Sequence, residues 1–300
     1  MAMTHAAEKW FDLASLPAKL GDYYVLTKPE VNVLIIMTTS AGYYLAQRGV
    51  FHWWGLINTV LGTLLVASGT ATLNQWMERD YDSAMRRTSD RPLPSGRITA
   101  VEAFWFGALV SIAGGLYLWL AVNRLTALLA ISTLLSYLLV YTPLKRKTPL
   151  CTMLGAFPGA MPTLIGWAGA SAGLSRDAWF LFGILFLWQF PHFLAIALMY
   201  REDYFRAGFR MLPGFDVEGR FTRAEIIIFT LALIGLTLLP AFLSSFSLLY
   251  LGGISAAGAF LLYFGIKLAR SGSRAAAGHL LHASVVYLPV VLAVMAVCKR

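Results

Sequence analysis

The sequence predicts an all-α, polytopic membrane protein with about nine transmembrane helices bundled around a central cavity, and three observations lead there. The 300 residues are 58% hydrophobic and only 13% charged, with a mean hydropathy of +0.66, well beyond the apolar share of a soluble domain. The apolar residues fall in runs of roughly 18 to 22, the length that crosses a bilayer as a helix. Basic residues concentrate in alternate loops, as in a chain threaded repeatedly through a membrane. Lipid offers no partner to a backbone N–H or C=O, so each run is expected to be helical.

The spans fall at about 31–47, 54–73, 101–121, 125–142, 150–171, 178–199, 224–244, 248–268 and 281–298. Residues 1–30 form an N-terminal segment and 31–298 a single transmembrane domain. The leading segment carries Glu8, Lys9, Asp12, Lys19 and Asp22, which does not fit a cleaved signal, so it is expected to be retained. Nine crossings place the termini on opposite sides. With the N-terminus cytoplasmic, 19 of the 24 Lys and Arg lie on that side, leaving Arg48, Arg124, Arg176, Lys299 and Arg300 on the other. This orientation suits a multi-pass protein of the inner, cytoplasmic membrane. It also accounts for the net charge of +9 without nucleic acid, whose binders carry a soluble basic domain. Cys151 and Cys298 fall in or near spans, so neither a disulfide nor a zinc site is expected.

Span 2 ends in a charged island at 74–96, reading N-Q-W-M-E-R-D-Y-D-S-A-M-R-R-T-S-D-R-P-L-P-S-G. If the helix continues through Asp82, then Asn74, Glu78 and Asp82 recur every four residues, within about 40° of one another, and make one polar stripe. Asp80 then points away, towards water or Arg79. Oxygen ligands beside guanidinium groups suit a magnesium ion holding a diphosphate, since hard cations choose carboxylates and Arg pairs with phosphate oxygens. The plainer alternative is that these acids cap a helix end and balance the arginines around them. Arg86, Arg87 and Arg91 suit either phosphate or the anionic lipid surface, and Pro92, Pro94 and Gly96 make their segment an ordered loop. Thr99 with Glu102 forms a capping box that opens span 3.

Span 4 ends in V-Y-T-P-L-K-R-K-T-P at 140–149. Lys145, Arg146 and Lys147 serve topology by default, or reach the diphosphate from beside both acidic islands. Span 5 holds G-A-F-P-G-A-M-P-T-L-I-G-W at 155–167, where the glycines suit close helix packing and Pro158 with Pro162 suggests a broken helix lining a cavity. Span 6 buries Gln189, Pro191 and His192; Pro191 should bend it, and His192 either contacts a ligand or satisfies a neighbouring backbone group. The loop after it supplies Asp203 as a second magnesium candidate, a weaker Glu202, and Arg201, Arg206 and Arg210 for phosphate. This second island also follows an even-numbered span, and by placement alone the two read as equivalent ends of related halves facing one cavity. In the last loop Lys267, Arg270 and Arg274 read as topology signals, and His5, His52, His279 and His282 as surface residues.

Together these segments resemble the intramembrane prenyltransferases of the UbiA superfamily over about residues 24–298. The resemblance is carried by T-K-P-E at 27–30, the island at 74–96, Y-T-P-L-K-R-K-T at 141–148, G-A-M-P-T-L-I-G-W at 159–167, and W-Q-F-P-H-F with R-E-D-Y at 188–204. The third, fourth and fifth of these are most like the haem-farnesylating branch. The resemblance implies Mg2+ on Asn74, Glu78, Asp82 and Asp203, with Glu78 where the family has Asp and Tyr204 where relatives often have an acid. It implies farnesyl diphosphate and haem b as substrates, bound with the help of Arg87, Arg91, Lys145, Arg146, Tyr141, His192 and Arg201. It implies attack of a haem vinyl group on the farnesyl carbon, with haem A synthase or oxidase assembly factors as partners downstream. A relative prenylating a phenolic or chlorin ring, or a transporter with midplane polar groups, is the competing reading.

Overall fold

A computed structural model describes residues 16–216, 218–243 and 248–299, and every regular element among them is helical. In chain order these are α1 (Leu16–Leu26), α2 (Pro29–Ala46), α3 (Trp53–Asp82), α4 (Ala100–Ala121) and α5 (Arg124–Ser136). A single π turn at Tyr137–Tyr141 and the short α6 (Thr142–Leu144) extend α5. There follow α7 (Cys151–Ser171), α8 (Arg176–Met199), α9 (Arg201–Arg206), α10 (Leu212–Phe215), α11 (Arg220–Leu243), α12 (Leu248–Ser271) and α13 (Arg274–Val297).

Seven of these helices are long and apolar enough to cross a membrane on composition alone. The other two long helices, α2 and α7, coincide with the predicted spans 31–47 and 150–171. Both are diluted by small and polar residues because they pack on each other. A Cβ on Gly42 or Gly166 would strike the carbonyl oxygens of Thr163 and Thr39 respectively, so glycine is what lets the two backbones touch. Helices α7 and α8 form the centre: α7 packs on α2, α3, α5 and α8, and α8 on α11 and α13 as well.

Two expectations change. Helix α7 is continuous through Pro158 and Pro162, not broken; its glycines serve packing. The leading segment contains α1, which buries Leu26 fully against Leu93, Ile98 and Ala103 and is tied at its C-terminal end to α3, Leu26 O accepting from Gln75 Nε2 at 2.7 Å. Residues 1–15, with His5, Glu8, Lys9 and Asp12, lie outside the described residues. The predicted capping box is present, Thr99 Oγ1 accepting from the Glu102 N–H and the Glu102 side chain from the Thr99 N–H.

Candidate active site

Helix α3 runs unbroken to Asp82, so the four-residue spacing does set Asn74, Glu78 and Asp82 on one face. Their exposures are 1%, 7% and 1%, whereas the Asp80 side chain is 76% exposed beside Arg79. Buried acids must be paired or coordinated, and each here has a cation brought from a different part of the chain. Lys145 Nζ donates to Glu78 Oε1 and Oε2 at 2.9 and 3.2 Å. Arg91 Nη1 donates to Asp82 Oδ2 at 2.8 Å. Lys28 Nζ donates to Asn74 Oδ1 at 2.8 Å, and Asn74 Nδ2 donates to Thr142 Oγ1 at 3.1 Å.

Each partner has a local structural reason to be there. Thr142 follows the π turn and bonds back to the Tyr137 carbonyl at 2.9 Å; π turns commonly mark functional positions. The turn sets the Tyr137 and Tyr141 rings 5.0 Å apart at a 60° tilt and brings Lys145 Nζ to 4.6 Å from the Tyr141 ring. Gly155 of α7 leaves the space the Tyr141 ring occupies. Lys28 sits between α1 and α2 with φ 53° and ψ 66°, a left-handed conformation that costs a side-chain-bearing residue energy and clusters at functional sites. Burial, then the neighbouring Arg91 and Lys145, push its ammonium down to about 7. Burial disfavours the Lys145 charge most strongly of any single influence, but the Glu78 carboxylate, joined by Tyr141 and Tyr137, more than offsets it and holds the ammonium well above the ordinary lysine value.

The loop after α8 folds over this end. Phe209, Ala207 and Met85 pack with Tyr81 and Tyr204, and the Arg210 N–H donates to the Lys145 carbonyl at 2.7 Å. The two acidic islands and the basic patch after α6 therefore meet at one end of the bundle. Arg146 bonds the Tyr81 hydroxyl and lies 4.6 Å from that ring. Asp203 is buried at 9% and paired with Arg206; Arg201 opens the same short helix. Arg87 lies 4.9 Å over the Tyr200 ring, not against the stripe. His192 sits on the seam between α8 and α13, its Nδ1 2.8 Å from Ser284 Oγ. Lys28, Thr142 and Tyr137 were not picked out from sequence; for Lys28 the signal available was a lysine in T-K-P-E held next to a proline.

The donor chemistry of the stripe is of the kind a magnesium ion takes: an amide oxygen and two buried carboxylates on one helix face, while Asp203 stands on the folded-over loop, paired with Arg206. Among the described residues no three acids, histidines or cysteines enclose an ion on their own.

This fold and polar end define a class. The model of the UbiA prenyltransferase family matches residues 35–293, and the chain belongs to that family. Among its relatives, the protoheme IX farnesyltransferase of Solibacter usitatus is 48% identical over 285 residues, 92% of this chain and 98% of that one. The protoheme IX farnesyltransferase of Koribacter versatilis is 43% identical over 286 residues, 92% of each chain. In three dimensions the chain is similar to a digeranylgeranylglyceryl phosphate synthase, with TM-score 0.76, 19% identity, and 94% and 99% of the two chains covered. A UbiA homologue from Archaeoglobus fulgidus bound to GPP and Mg2+ gives TM-score 0.65 and 14% identity, over 91% and 99%. At such identities the likeness establishes the fold.

Proposed function

We propose that the protein transfers the farnesyl group of farnesyl diphosphate to a vinyl group of haem b, giving haem O and diphosphate. The names of its relatives support the acceptor. The observation that carries the donor side is the convergence of three cations, Lys28, Arg91 and Lys145, on two buried carboxylates and an amide. Such a set has positive charge to spare for an anion.

Asn74, Glu78, Asp82 and Asp203 would hold Mg2+, the ion that the A. fulgidus homologue carries together with GPP. Magnesium when bound supplies neutralisation of the charge that develops on a departing diphosphate. Lys28, Arg91 and Lys145 bind the diphosphate oxygens and stabilise the same charge in place, Arg146 and Arg201 extending the basic rim. Tyr141 fixes Lys145 through its ring face. The farnesyl C–O bond breaks to diphosphate, the vinyl terminus forms the new C–C bond, and water adds to the resulting cation with loss of a proton. Family membership covers most of residues 31–298, which we take as one domain. The basic asymmetry of the loops supports a cytoplasmic N-terminus and catalytic face in the inner membrane, delivering product to haem A synthase or oxidase assembly.

The test is purified protein in lipid with magnesium, haem b and farnesyl diphosphate, the pigment being weighed by mass spectrometry. A gain of one farnesyl group plus water, absent in Asp82→Ala, is expected. Diphosphate release only with a phenolic acceptor would replace haem by that acceptor.

A further inference from the structure

Two features of the α8–α13 seam are not used by the diphosphate site. The first is a pair of arginines on one ring. Arg87 lies 4.9 Å and Arg274 6.0 Å from the centroid of Tyr200, and neither forms an ion pair with a carboxylate among the described residues. Two guanidiniums sharing a platform without a counter-charge repel each other, so the pair suits an anion with planar carboxylates. The second is His192. Ser284 donates its hydroxyl to the Leu281 carbonyl at 2.7 Å, so it accepts from His192 Nδ1–H at 2.8 Å. That fixes the tautomer with the lone pair on Nε2, and Nε2 has no hydrogen bond among the described residues. A ring nitrogen freed by a bond through its partner nitrogen is how a histidine is prepared for a metal. The ring is further held by stacking on Trp188 at 4.5 Å.

The two features lie on one line. His192 is eight residues before Tyr200, about 12 Å deeper at 1.5 Å per residue, and Ser284 is ten residues into α13 from Arg274 on the antiparallel neighbour. We propose that this seam seats the haem acceptor, with His192 Nε2 facing the iron and Arg87 and Arg274 pairing with the two propionates. The inference rests on the haem-farnesylating reading and adds the acceptor's position: propionates at the rim, macrocycle descending along α8.

The experiment titrates ferric haem b into the full chain in discs of neutral lipid, which keeps anionic headgroups from standing in for propionates. Absorbance reports the iron ligand, and the dimethyl ester of haem b serves as a probe without propionate charge. Arg274→Gln and Arg87→Gln are each expected to weaken haem b about tenfold, the size of a lost charged hydrogen bond. They should leave the ester unchanged, and Arg274→Lys should keep most of the affinity. His192→Gln should shift the absorbance of the bound haem while farnesyl diphosphate binding stays intact. The seat is overturned by equal loss for haem and ester, by no loss for either, or by an unchanged spectrum in His192→Gln. If the wild type then still makes farnesylated haem, only the seat fails; if it makes none, the functional reading fails with it.

Discussion

At the scale of single residues, the proposed reading divides the stripe and its partners into groups assigned to chemistry and groups that hold them. Asp82→Ala should lower diphosphate release at least about 100-fold, the size expected for removing one electrostatic stabiliser, while Asp80→Ala should stay within about twofold. Equal losses in a release assay would remove the stripe from the site. Lys145 and Glu78 are 12% and 9% exposed at their side chains, so breaking the pair strands a buried charge. Lys145→Met should cost about 3–5 kcal/mol, and adding Glu78→Gln should restore most of the thermal stability without restoring turnover. Lys28 makes a separate test, because its φ of 53° penalises any Cβ. Lys28→Ala should be less stable than Lys28→Gly by about 1 kcal/mol, with both equally impaired, as chemical denaturation and turnover would show. The stripe was legible because a four-residue period is a local property. Lys28 was not, since its ligand Asn74 is 46 residues away in the chain.

At the scale of elements, hydropathy located the long helices, and the packing between them decided their character. Pro158 and Pro162 read locally as a break, yet α7 passes through both because α2 and α8 hold it on either side. Gly166→Ala should lower the melting temperature clearly, since the added carbon would meet the Thr39 carbonyl. Gly252→Ala in α12 meets nothing within 4 Å and should raise stability by about 0.5–1 kcal/mol; both are read by thermal unfolding in the same detergent. A destabilised Gly252→Ala would mean that α12 has a partner against this face. Helix α1 escaped sequence analysis because eleven mixed residues carry little periodic signal; burial of Leu26 against the loop after α3 makes it a structural part of the site.

At the scale of the whole molecule, the charged site occupies one end of the bundle, and exposed aromatics flank both ends, with Trp105, Phe205 and Phe221 at the site's end. Trp53, Trp54, Trp119 and Trp179 are 67%, 76%, 42% and 53% exposed at the start of α3, the end of α4 and the start of α8, all distal to Asp82. Tryptophans in such a ring sit at a membrane interface. Val50, 80% exposed, belongs to that distal end, and exposed Ser95 to the site's end. In a cysteine-free background, Val50→Cys on intact cells should react with a membrane-impermeant thiol reagent, and Ser95→Cys only after lysis. The reverse pattern would invert the proposed orientation. Composition, run length and the period of Asn74, Glu78 and Asp82 were enough to give the membrane class, the helices and the buried polar face of α3, because these depend on neighbours a few residues apart. The cations that meet that face, the unbroken course of α7, and the joining of His192 to Ser284 and of Arg87 to Arg274 through Tyr200 were settled only by tertiary packing. They pair residues far apart in the chain, and no local pattern encodes which distant partner a buried charge will find.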